Sequence, residues 1–164
     1  MIIVSIDPSG NWSEGKGTTG IAVFKDSKLD SVKTIEARFF ADAESYWNEV
    51  AFHASKYVVR SQIDVVVCEA FKLQPNKAAA QSWSSMETPM LIGHLRMQAW
   101  QHKQKFVLQD PSCKTRVPDE LLVKMGILEK RGNRHYALGK QTNDHMRDAI
   151  RHGVYYHLYG RKRE

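Results

Sequence analysis

Cysteine is scarce in this chain. Two cysteines, Cys68 and Cys113, in 164 residues exclude a disulfide framework and a four-cysteine structural zinc site. No apolar run approaches the roughly 20 residues that span a bilayer. The opening MIIVSID has no basic stretch ahead of its apolar residues and meets a charge at Asp7, unlike a secretory leader. Internal repeats, low-complexity segments and interdomain linkers are also missing. These gaps exclude membrane and disulfide-rich secreted classes and give the expectation of a cytoplasmic protein. A hydrophobic content of 42% and a charged content of 26% are globular values, and the length suits a single domain over residues 1–164.

The charge is distributed unevenly. Residues 1–68 carry 7 Lys/Arg against 9 Asp/Glu, whereas residues 69–164 carry 17 against 9. The first part is therefore slightly acidic and the second strongly basic. A basic half suits a polyanionic partner, nucleic acid above all.

Hydrophobic periodicity gives an outline of the fold. IIVSID (2–7) reads as a strand, and the Gly-, Ser- and Thr-rich stretch 8–20 as a loop. GIAVFKD (20–26) and LDSVKTIEARFF (29–40) read as two further strands, joined by a tight turn into an antiparallel meander. Trp47, Val50, Ala51, Ala54 and Val58 recur at helical spacing, so 43–61 is expected to be a helix capped by Asp42. IDVVVCEAF (63–71) is a nearly continuous apolar run of strand length, the pattern of a strand buried on both faces. Residues 76–104 read as mostly helical with a kink or break at Pro89, and KFVLQD (105–110) as a fifth strand. A short helix over 118–128, a basic loop over 131–141 and a last helix from about 143 to 159 complete the chain. This order implies an α/β fold: a five-stranded mixed sheet flanked by helices.

Acids stand where such folds place their chemistry. Asp7 closes the first strand and Glu69 lies near the end of the buried one. Sites in α/β sheets gather at strand C-terminal ends, and a buried carboxylate needs a partner such as a divalent cation. Asp144, His145 and Asp148 crowd the start of the last helix. At about 100° per residue Asp144 and Asp148 lie within about 40° of each other, with His145 about 60° from Asp148. The apolar residues Met146, Ala149, Ile150 and Val154 centre on the other side, so all three polar residues can address one site.

The ordered set IDPSG (6–10), TTGIAVF (18–24), VVVCEAF (65–71) and DHMRDA (144–149) resembles the RuvC-like branch of the ribonuclease H-like nucleases across nearly the whole chain. The resemblance implies a ribonuclease H-like fold and a Holliday junction resolvase of the kind bacteriophages encode. It implies metal ligation by Asp7, Glu69 and Asp148, with His145 or Asp144 as a further ligand. His145 stands where the family's resolvases have an acid and where the RuvC-type domains of CRISPR nucleases have His. The implied chemistry is phosphodiester hydrolysis with two Mg²⁺ ions, for which Mn²⁺ substitutes. A four-way DNA junction is the implied partner. Its two-fold symmetry suits a homodimer, expected through helical faces within 76–104. Lys72, Lys77, Lys114, Arg116, Arg131 and Arg134 are the expected phosphate contacts. Phe71 is either a core residue or a wedge into the junction. The loop SGNWSEGKGT (9–18) is longer than the family's usual turn, and its role, DNA contact or insertion, stays open.

Three other readings compete. A ribonuclease H-like nuclease acting on RNA or an RNA–DNA hybrid would share the acids. A non-catalytic DNA-binding scaffold would not need the full set of them. A sugar-kinase or actin-like ATPase also opens with a strand, an Asp and a Gly-rich loop, but needs a second domain and a second phosphate loop.

Overall fold

The structure is a computed structural model that describes residues 1–56, 63–72 and 86–160. Three strands, β1 (Ile2–Asp7), β2 (Thr18–Lys25) and β3 (Lys28–Glu36), form the expected antiparallel meander. Two further strands, β4 (Val65–Glu69) and β5 (Lys105–Gln109), run parallel to β1, giving the order β3-β2-β1-β4-β5. Every residue of β1 is buried, because the strand sits centrally with both faces covered.

Alternation along the strands sorts the two faces. Val4, Ile6, Val66 and Cys68 point toward the helices α1 (Ala43–Lys56) and α2 (Glu87–Gln101), packing with Tyr46, Val50, Leu91 and Leu95. Ile3, Val65 and Val67 point the other way, against the helix that we number α4 (Asp144–Tyr159), packing with Ala149, Ile150 and Val154. Asp7 and Glu69 continue this second register, so both acids emerge on the α4 side. Helix α4 lies close to the sheet. Ser5 Oγ donates to the Ala149 carbonyl at 2.7 Å. A Cβ on Gly20 would stand 2.0 Å from the His145 carbonyl oxygen, so glycine is required beneath the helix start.

Some boundaries differ from the sequence expectation. The third strand stops at Glu36, and residues 37–39 form a 3-10 turn whose first N–H bonds Gly17 O. The short helix α3 is only Asp119–Lys124, ending before Gly126 at φ +72°. Pro89 does not kink α2. It stands in the first turn, where a missing N–H breaks no helical bond. Residues 57–61 of the expected first helix and 76–85 of the expected second lie outside the described residues.

The largest correction is the basic loop. Residues 129–141 form a three-stranded antiparallel sheet, β6 (Glu129–Arg131), β7 (Arg134–Ala137) and β8 (Lys140–Gln141). Gly132 at φ +58° in the first turn, and Leu138 at φ +51° with Gly139 at φ +77° in the second, supply the left-handed residues. The high charge hid this periodicity. Only Ala137 of these strands is buried, and the cations stand exposed on both faces of the sheet.

Candidate active site

Parallel pairing of Ile6 with Cys68 brings the ends of β1 and β4 side by side, so Asp7 and Glu69 project next to each other. Asn143 caps α4 by accepting from Met146 N–H at 2.9 Å, which sets the first turn of the helix over these strand ends. One turn later, Asp148 completes a cluster. Carboxylate oxygens of Asp7, Glu69 and Asp148 all lie within 4.8 Å of one another.

His145 joins this group through Asp7, with Nδ1 2.7 Å from Oδ2. Asp144 does not. Its side chain is 86% exposed and pairs with Arg147 three residues on. The helical wheel allowed both residues to reach the site. Asp144 occupies the first helical position, where an outward rotamer with a local cation partner was available, while His145 lies above Gly20 and the end of β1.

Charge in the cluster is balanced by cations that the sequence did not place there. Lys114, on the 3-10 turn Pro111–Arg116, was expected on an outer DNA-binding surface. Its Nζ instead lies 2.9 Å from Glu69 Oε2 and 2.8 Å from Asp148 Oδ2. Arg151 holds the other oxygen of Asp148 at 2.5 Å and bonds Asp119 at 2.8 Å. Behind Glu69, the fully buried His152 places Nε2 2.6 Å from Oε2. His152 escaped the sequence reading. Its signal is a polar residue four positions after Asp148, within the stripe of Ala149, Gly153 and Tyr156 that packs on the sheet.

Electrostatics follow from this packing. Burial pushes the Asp7 carboxyl above the ordinary carboxylate range; the bond from His145 opposes that, and the charges of Glu69 and Asp148 add to it. The Asp7 carboxylate, against partial burial, raises the His145 imidazole above its usual value. Burial also pushes Glu69 upward, but hydrogen bonds from His152 and Lys114 outweigh it and hold this acid below its usual value. For Lys114, burial opposes the charge, yet its bonds to Asp148 and Glu69 win and stabilise the ammonium. Asp7 is thus the acid short of positive charge.

The other expected contacts are scattered. Phe71 is partly buried against the α1–α2 core. Lys72 is exposed and paired with Asp110. Arg116 lines a surface cavity with Tyr155 and Tyr159. Arg131 and Arg134 stand exposed on the small sheet, with Arg131 held by Glu129 at 2.8 Å and stacked over Tyr136. Lys77 lies outside the described residues.

The long first loop is strapped down. Tyr46 OH donates to Ser9 O at 2.7 Å, Trp47 Nε1 to Gly10 O at 3.2 Å and Trp12 Nε1 to Phe40 O at 3.0 Å. The buried carboxylate of Glu87, at the start of α2, accepts from Ser13 N–H at 3.2 Å. Only residues 13–16 at the tip are exposed.

No family model matches the sequence, and no curated protein matches it. Among solved structures, a T. thermophilus RuvC in complex with a Holliday junction substrate matches with a TM-score of 0.70 at 16% identity, covering 99% of this chain and 96% of that one. A second Thermus thermophilus RuvC structure matches with a TM-score of 0.68 at 14% identity over the same shares. The fold is therefore of the RuvC-like, ribonuclease H-like type, a five-stranded mixed sheet flanked by helices.

Proposed function

We propose that this chain is a metal-dependent endonuclease that cuts branched DNA, a four-way junction above all. The observation that carries the reading is the convergence of Asp7, Glu69 and Asp148 within 4.8 Å at the strand ends, with His145 against Asp7. One of the similar folds was solved on a Holliday junction substrate, which supports the choice of DNA form.

The donor set suits a hard divalent cation. Three carboxylates offer oxygen ligands, and the ammonium of Lys114 lying between two of them supports a site that attracts positive charge. Asp7, Glu69 and Asp148 would hold Mg²⁺ or Mn²⁺, with His145 as a further donor. A bound divalent cation supplies polarisation of the phosphodiester and activation of water. The chain's own residues do the rest. His145 commits Nδ1 to Asp7, which leaves Nε2 to take a proton or a ligand. Lys114 brings a mobile cation to the place where phosphate charge collects. Arg131, Arg134 and Lys140 on the small sheet, immediately before α4, offer phosphate contacts that position a DNA arm without reading its sequence.

Two opposed nicks require two sites. Helix α2 exposes Met90, Met97 and Trp100 at helical spacing, Trp100 being 74% exposed, and this face supports a homodimer. Sedimentation of wild type and Trp100→Glu on junction DNA tests it: a dimer that the substitution splits is expected. Among the described residues no helix is long and apolar enough to cross a membrane, and we place the activity in the cytoplasm with the DNA.

The deciding experiment offers labelled four-way junction, linear duplex and RNA–DNA hybrid with Mg²⁺. Paired nicks in the junction and slow or absent cutting of the other two are expected. Preferential hybrid cleavage would move the protein to an RNA-directed nuclease. Tight junction binding without any cleavage would make it a scaffold.

A further inference from the structure

His152 is wholly buried, yet both ring nitrogens have polar partners from different elements. Nε2 lies 2.6 Å from Glu69 Oε2. Nδ1 lies 2.8 Å from Gln109 Oε1 and 3.1 Å from Cys113 Sγ. Gln109 is the register partner of Glu69 across β4 and β5, and Cys113 belongs to the 3-10 turn that also carries Lys114. A carboxylate oxygen only accepts, so Nε2 carries the hydrogen of the bond to Glu69. The position faces the sheet between Ala149, Gly153 and Tyr156, where an apolar side chain would pack without the cost of burying an imidazole.

We propose that His152 is the positioning residue of the metal centre. It pins Oε2 of Glu69 and thereby presents Oε1 to the divalent cation. The inference rests on the reading that Glu69 holds a cation, and it adds which residue orients that ligand. Oε2 accepts two hydrogen bonds, and the two donors differ in kind. Lys114 reaches in on a flexible stem that is 23% exposed, so an arriving cation can displace it. His152 cannot leave, because Gln109 and Cys113 hold the far side of its ring. Outer partners of this type fix the orientation of a metal ligand, and losing one costs about 10–100-fold in metal affinity.

A matched pair of variants on the full chain tests this. His152→Gln carries an amide N–H near the place of Nε2 and keeps the bond to Glu69. His152→Asn keeps a group near Nδ1 and loses that bond. Each retains one of the two links, so their losses of thermal stability are expected to be alike. Mn²⁺ affinity, followed by the spin-resonance signal of the free ion, is expected to fall about 10–100-fold in the Asn variant and to stay near wild type in the Gln variant. Equal affinities in the two variants would overturn the proposal. Should the Asn variant fail to fold, wild type decides the matter by NMR. A slowly exchanging His152 Nε2–H resonance is expected both without metal and in saturating Mg²⁺, and its loss on adding Mg²⁺ would overturn the proposal. A wild-type protein that binds Mn²⁺ through these acids but cuts no branched DNA would sink the nuclease reading alone.

Discussion

The acidic centre and the small basic sheet differ in how their charges are held. At the centre, Asp7, Glu69 and Asp148 each have a close partner in His145, His152, Lys114 or Arg151, at distances of 2.5–2.9 Å. On the small sheet, Lys130, Arg131, Arg134 and Lys140 are exposed. A desolvated charge must be paired, so its geometry is specified and a single change is felt sharply. Exposed charges act through their sum, so each contributes little and none is indispensable. On the function proposed above, catalysis falls to the first region and affinity to the second.

The sharpest break in that contrast comes from removing one charge at the centre. Asp7→Asn and Glu69→Gln should abolish Mg²⁺-dependent junction cleavage and leave junction binding in place. Without metal, Asp7→Asn should also melt at a higher temperature than wild type, because burial and two neighbouring carboxylates disfavour a charge at that position. A cleaving Asp7→Asn protein would remove Asp7 from the site.

His145→Ala comes next. Loss of a positioned proton carrier should slow cleavage by about 10²-fold or more. The same residue gives the metal-free fold a pH signature. Its pKa is raised by Asp7, so the folded state binds a proton more tightly than the unfolded chain does. The stability from this pair is complete below the ordinary imidazole value of about 6.5 and is lost as pH rises through the elevated folded value. Asp7, also raised, acts in the same direction, whereas Glu69, lowered, matters only below its usual carboxylate range. Thermal melts between pH 6 and pH 9 should therefore decline with pH in wild type and flatten in His145→Ala. Melts that rise over this range would contradict the pairing.

A cation of the small sheet should behave differently. Arg134→Gln is expected to weaken binding to junction and linear duplex alike and to lower the salt slope of binding by about 1, with the cleavage rate of bound junction unchanged. A loss confined to cleavage of bound DNA would place Arg134 at the chemistry. The smallest effect belongs to Asp144→Asn. An exposed residue paired only with its neighbour Arg147 should change cleavage by no more than about twofold. A dead Asp144→Asn protein would exchange the roles of Asp144 and His145.

Period and order were legible in the chain. The alternating and continuous apolar runs gave five strands, and the interposed helical periods gave their crossovers, because burial on one or two faces imposes those patterns directly. Asp7, Glu69 and Asp148 could be singled out since acids at the ends of buried strands and at a helix start have no role in packing. The small sheet was misread because its strands are too short and too charged to carry a clear alternation. Lys114 looked like any surface lysine, since nothing local distinguishes a cation that faces solvent from one that reaches across to two acids.

The sequence by itself determined the five strands of the main sheet, their order and the acids at their ends, since these depend on local periodicity and on which residues tolerate burial. Tertiary structure alone set His145 rather than Asp144 against Asp7, drew Lys114 into the cluster and put His152 behind Glu69. Each of those outcomes depends on which side chains from distant segments meet at one strand end. Pairing of buried charges is a long-range energetic requirement, and it leaves no period in the chain to read.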